Sequence, residues 1–155
     1  MKTIGILSLI LAACSSPRAW AVSAGNYLLA SDWANDQIVR FDATTGAFVD
    51  VFIPSGRGSL DNPADLAIGP SGDLFVASGA NNRILRYDGQ TGSFLGTAAF
   101  NVPTPIGMEF GSDGLLYVAA RGSNSIVKVN VAQGTVVLVG LDAGRSIEMP
   151  RGHLT

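Results

Sequence analysis

The sequence predicts an all-β protein assembled from repeated four-stranded antiparallel sheets. Three observations carry that expectation: a segment recurs along the chain at a fixed period, its apolar runs are short, and glycine, proline or asparagine stands between them. Nineteen glycines and seven prolines suit a chain of many tight turns, because glycine supplies positive φ and proline presets the φ of a turn. With 47% hydrophobic and 14% charged residues, against a usual charged share of about a quarter, the chain is globular and not disordered. Ten basic against twelve acidic residues leave a net charge of −2, too close to neutral to direct the protein to nucleic acid or to an acidic membrane surface.

The amino terminus reads as a leader. Lys2 precedes the apolar run 4–13, which is too short to span a bilayer, and small residues follow it. Residues 1–24 are expected to be a signal peptide cleaved after Ala21 or Ala24. The alternative is a lipobox, Leu11-Ala12-Ala13-Cys14, in which Cys14 becomes a lipidated amino terminus and the protein a membrane-anchored lipoprotein. Either route takes the protein out of the cytoplasm, to a secreted or periplasmic location. Cys14 is the only cysteine, so no internal disulfide or thiolate metal cluster can form.

The repeat follows. GPSGDLFVAS at 69–78 recurs as GSDGLLYVAA at 111–120, an offset of 42 residues, and the register continues with Asn82 on Asn124, Arg86 on Lys128 and Gly92 on Gly134. An earlier copy, DQIVRFDATTGAFV at 36–49, parallels NRILRYDGQTGSFL at 82–95 at an offset of 46. Matching YLLAS to LFVAS places one extra residue in the loop 33–36 and leaves this first copy without an opening strand.

In the middle copy the expected strands are 65–68, 74–78, 83–88 and 93–98, separated by the turns Gly69-Pro70-Ser71-Gly72, 79–82 and Gly89-Gln90-Thr91-Gly92. Four antiparallel strands at a period of roughly 40 to 45 residues are a β-propeller blade. The chain is thus organised as the leader 1–24, blades at about 25–63, 64–105 and 106–140, and an out-of-register tail 141–155.

The segments NPADLAIGPSGDLFVASGANNRILRYD (62–88) and PIGMEFGSDGLLYVAARGSNSIVKVN (105–130) resemble NHL repeats and their relatives in six-bladed propellers, the SMP-30 and TolB-like proteins. The resemblance covers about 26–139 and implies the architecture. It does not single out an activity, since such proteins include binding scaffolds, SMP-30-type lactonases and lyases.

Propellers close with about four to eight blades, so about three blades make an incomplete ring with unpaired edges and open apolar faces. Either the sequence is a truncated piece of a longer propeller, or two chains pair as a homodimer that closes six blades. The loss of register after Val139 favours truncation.

Little catalytic chemistry is legible. The one histidine, His153, lies in the tail, which leaves no histidine on a blade for a Ser-His-Asp triad, a zinc site or a general base. GPSG and GSDG do not match a phosphate loop and read as hairpin turns. Asp65 and Glu109, on first strands that line a propeller channel, are the candidate ligands for calcium, a hard cation that takes oxygen donors; otherwise no cofactor is expected. Arg121, which replaces Gly79 in the equivalent loop, and Trp33 are candidate contact residues. Asn82, Asn124 and Asp36 are expected to cap their own hairpins. Arg40, Arg86 and Lys128 form a repeated basic position expected to pair with acids of neighbouring blades.

The expected function is an exported, non-catalytic scaffold that presents loops to a protein or carbohydrate ligand. The alternative is a piece of a metal-dependent SMP-30-like lactonase or hydrolase, or of a propeller lyase.

Overall fold

A computed structural model describes residues 21–24 and 26–141; Cys14, His153 and the expected leader up to residue 20 lie outside the described residues. Among the described residues twelve strands form three separate four-stranded antiparallel sheets, their strands neighbouring one another in sequence order. Blade 1 comprises β1 (Ala21–Ala24), β2 (Tyr27–Asp32), β3 (Gln37–Asp42) and β4 (Phe48–Ile53). Blade 2 comprises β5 (Pro63–Ile68), β6 (Leu74–Ser78), β7 (Arg83–Tyr87) and β8 (Phe94–Ala99). Blade 3 comprises β9 (Pro105–Phe110), β10 (Leu116–Ala120), β11 (Ser125–Asn130) and β12 (Thr135–Leu141). The opening strands β1, β5 and β9 lie side by side, which puts them innermost.

The first copy does have an opening strand, contrary to the sequence reading. Ala21–Ala24 pairs with β2 from Ala21↔Ala30 to Ala24↔Tyr27, inside the stretch assigned to the leader. Small residues serve equally at a cleavage site and on a crowded inner strand, so the letters alone do not distinguish the two.

The alignment of the first copy also shifts by one residue. Leu28 pairs with Phe41 as Leu74 pairs with Tyr87, so the offset is 46 throughout blade 1 and its loop 33–36 holds four residues, as 79–82 does. A one-residue slip would turn every side chain to the opposite face. The extra length falls instead in the crossing from β4 to β5, where Gly56 and Gly58 take φ of 78° and 67° around a short 3-10 segment, Arg57–Ser59. The Tyr87 hydroxyl donates to the Arg57 carbonyl at 2.8 Å and fixes that crossing to blade 2.

Each blade packs face to face on the next, because alternate side chains of a strand leave opposite faces. Leu29, Ile38 and Ile53 of blade 1 meet Leu66, Leu74, Val76, Leu85 and Tyr87 of blade 2. Phe75, Ala77 and Ile84, on the other face of blade 2, meet Leu116, Val118, Val127 and Val129 of blade 3. All five residues of β6 are therefore buried. The turn between third and fourth strands is set by an acidic or amide side chain. Asp42 Oδ1 accepts from the amides of Thr44 and Thr45, Asp88 Oδ1 from those of Gln90 and Thr91, and Asn130 Oδ1 from those of Ala132 and Gln133. These amides hold the carboxyls of Asp42 and Asp88 below the usual range.

The repeated basic residues pair within their own blades, which corrects the expectation of pairing between blades. Arg40 grips Asp50 through Nε at 3.0 Å, Arg86 Nε donates to Asp73 at 2.8 Å, and Lys128 lies 3.5 Å from Asp113. The antiparallel register sets Arg40 opposite Asp50 and puts Arg86 opposite Phe75, two residues from Asp73. Among the described residues no helix is long and apolar enough to cross a membrane.

Candidate functional site

The loop joining second and third strands is built alike in every blade. Its last residue is left-handed, with φ of 53° at Asp36, 59° at Asn82 and 48° at Asn124, a conformation that Asn and Asp tolerate better than other side chains. These residues do not cap their own hairpins, as the sequence suggested. Asp36 Oδ1 accepts from the Asn62 amide at 2.7 Å, and Asn82 Oδ1 accepts from the Thr104 amide at 2.8 Å. Each side chain thereby holds the segment that enters the following blade. Backbone bonds complete the seam: the Gly79 amide donates to the Asn62 carbonyl at 3.0 Å, and the Arg121 amide to the Thr104 carbonyl at 3.1 Å.

The same loops open with the residue that differs most between copies. Trp33, Gly79 and Arg121 hold one repeat position and all three line one cleft of about 390 Å³ at the rim where the crossings enter the inner strands. Its floor is Pro63, Ala64, Pro105 and Ile106 at the starts of β5 and β9. Trp33 is 37% exposed, and Arg121 is exposed. Among the described residues no aspartate or glutamate lines the cleft, and Arg121 is the one charged side chain there. The crossing residues Asn62 and Thr104 and the floor residues escaped the sequence reading. The crossing and floor residues recur at the period of 42, Asn62 with Thr104 and Pro63 with Pro105, and the corrected register puts Trp33 on the same position as Gly79 and Arg121.

Asp65 and Glu109 stand elsewhere. Asp65, on β5, bridges two inner strands: Oδ1 accepts from the Leu66 amide at 2.9 Å and Oδ2 from the Met108 amide at 2.6 Å. Burial pushes its carboxyl up to about 6; the Met108 and Leu66 amides pull the other way, and the Glu109 charge adds to the rise. Glu109 is exposed opposite Tyr117 on blade 3. The two carboxylates are close enough to repel each other, but both Asp65 oxygens are engaged by amides. Among the described residues no three His, Cys, Asp or Glu side chains gather as metal ligands.

No protein-family model matches the chain, and no curated protein matches it. Solved structures do. The chain is similar to virginiamycin B lyase from Staphylococcus aureus (TM-score 0.61, 15% identity, covering 79% of this chain and 41% of that one). It is similar to the WD40 repeats of RRP9 (TM-score 0.66, 16% identity, 85% and 41%). A 6-phosphogluconolactonase-like protein from Bacteroides uniformis is a third (TM-score 0.58, 22% identity, 78% and 39%). The fold is a partial β-propeller. The chain spans about two fifths of the length of these structures, and identities this low carry the fold and no activity.

Proposed function

We propose that this partial propeller is an exported, non-catalytic NHL-type scaffold whose rim cleft captures an acidic carbohydrate. The leader-like amino terminus supports export. The observation that carries binding is the cleft itself: an aromatic ring and a guanidinium line one concavity, and among the described residues no carboxylate lines it. A sugar ring lays its apolar face on an indole, while a guanidinium takes a carboxylate through two parallel hydrogen bonds. Both groups hang from loops braced by the crossing contacts of Asn62 and Thr104, so the site is largely formed before a ligand arrives. The engaged oxygens of Asp65 argue for a structural carboxylate there and against the calcium-dependent hydrolase alternative.

Titration calorimetry with an oligogalacturonate, and with its neutral methyl ester as control, tests the proposal. Uptake of the acid alone, weakened by Arg121→Gln and by Trp33→Ala, is the expected result. Equal binding of acid and ester, or none of either, overturns it.

A further inference from the structure

Thr104 holds a backbone conformation that its own side chain disfavours. Its φ is 45°, and among the described non-glycine residues with positive φ it alone is β-branched, the class for which this region is a true outlier. It also precedes Pro105, and a residue before proline prefers an extended backbone. One repeat earlier Asn62 stands before Pro63 with φ of 52°, and asparagine accepts that shape more readily. The turn itself therefore does not call for a threonine.

Neighbouring groups hold Thr104 in place from both sides. Its amide donates to Asn82 Oδ1 at 2.8 Å, and its carbonyl accepts from the Arg121 amide at 3.1 Å. The hydroxyl lies against Gly122, where a Cβ would stand 2.9 Å from Oγ1, so the absence of a side chain at Gly122 leaves it room. Thr104 lines the cleft with Trp33 and Arg121, and the described residues supply no hydrogen-bond partner for its hydroxyl. Strained residues that their surroundings over-determine gather at ligand sites. We propose that Thr104 determines specificity in this cleft: its hydroxyl donates a hydrogen bond to a hydroxyl oxygen of the same sugar whose carboxylate Arg121 takes. The assignment rests on the acidic-carbohydrate reading of the cleft and adds to it a second polar contact, fixed at the root of the Arg121 loop.

Titration of the full chain with the oligogalacturonate, read beside thermal unfolding, is the test. Thr104→Val keeps the branched shape and deletes the donor, and is expected to raise Kd about fivefold with little change in Tm. Thr104→Ser keeps the donor and is expected to restore the affinity. Thr104→Asn supplies the residue found at position 62 and is expected to raise Tm by about 4 °C as the strain is relieved. Uptake that is weakened by Arg121→Gln but indifferent to Thr104→Val overturns this assignment alone. Equal losses in Thr104→Val and Thr104→Ser, or no gain in Tm for Thr104→Asn, overturn it as well. Failure of the unaltered protein to take up the oligogalacturonate overturns the reading of the cleft and this assignment with it.

Discussion

Asn82 holds the Thr104 amide at 2.8 Å across the boundary between blades 2 and 3, from a left-handed backbone with φ of 59°. The side chain thus serves two ends: it tolerates the turn and it anchors the next blade. The two contributions separate by substitution. Asn82→Gly keeps the conformation and loses one hydrogen bond, an expected cost of about 1 kcal/mol. Asn82→Ala keeps a β-carbon in the left-handed region but loses the polar side chain that makes it tolerable, for a total of about 2–3 kcal/mol. Urea unfolding of the two variants measures the gap; equal losses would show that the tether carries the whole effect and the turn none.

Gly92 is the second place where blades meet through backbone. Its φ is 68°, and a Cβ there would stand 2.5 Å from the Phe52 carbonyl of blade 1. Gly92→Ala therefore meets strain and a clash together, and is expected to destabilise by about 1–3 kcal/mol. Gly72→Ala shares the strain, with φ of 85°, but meets open space, so it should cost less. Thermal unfolding of the pair checks the order, and the reverse order would remove the close approach as a cause.

The blades themselves were legible because apolar alternation and glycine turns are local signals. Strand β6 was placed from the sequence at the residues where it lies. What depended on contact between blades was not legible. Asn82 looked like a hairpin cap because its partner amide lies 22 residues away. YLLAS matched LFVAS letter by letter, yet the pairing of Leu28 with Phe41 set the register one residue away from that match. The same slip hid that Trp33 shares the position of Gly79 and Arg121, so the cleft did not emerge from the sequence although Trp33 and Arg121 were singled out as contact residues. A bulge in the pairing with the outer strand recurs at the equivalent positions Ile38/Val39, Ile84/Leu85 and Ile126/Val127. It adds twist to each blade and has no marker in the residue types.

The ion pair of Arg86 with Asp73 should matter little. Its arginine side chain is 40% exposed, and such pairs contribute about 0.2–1 kcal/mol. A double-mutant cycle with Arg86→Met and Asp73→Asn is expected to return a coupling in that range that shrinks at high salt. A salt-independent coupling would point to packing against the Phe75 ring, over which the guanidinium lies at 6.0 Å.

Asp65 should leave the clearest mark on pH dependence. Its folded carboxyl is raised by burial from 3.8 to about 6, so between those values the folded state binds more protons than the unfolded one. The contribution of Asp65 to stability is then fully present below about pH 4 and falls as pH rises through 6, by on the order of 3 kcal/mol. Asp42 and Asp88, whose carboxyls are lowered by turn amides, act in the opposite sense and lose their contribution as pH falls. Wild-type curves alone mix the two. Subtracting the curve of Asp65→Asn isolates the first, since the substituted amide cannot titrate while the turn carboxylates remain. The difference, wild type minus variant, is expected to decline between about pH 4 and 6.5. A flat difference would mean that the Leu66 and Met108 amides already offset the burial of the charge, leaving Asp65 ionised throughout.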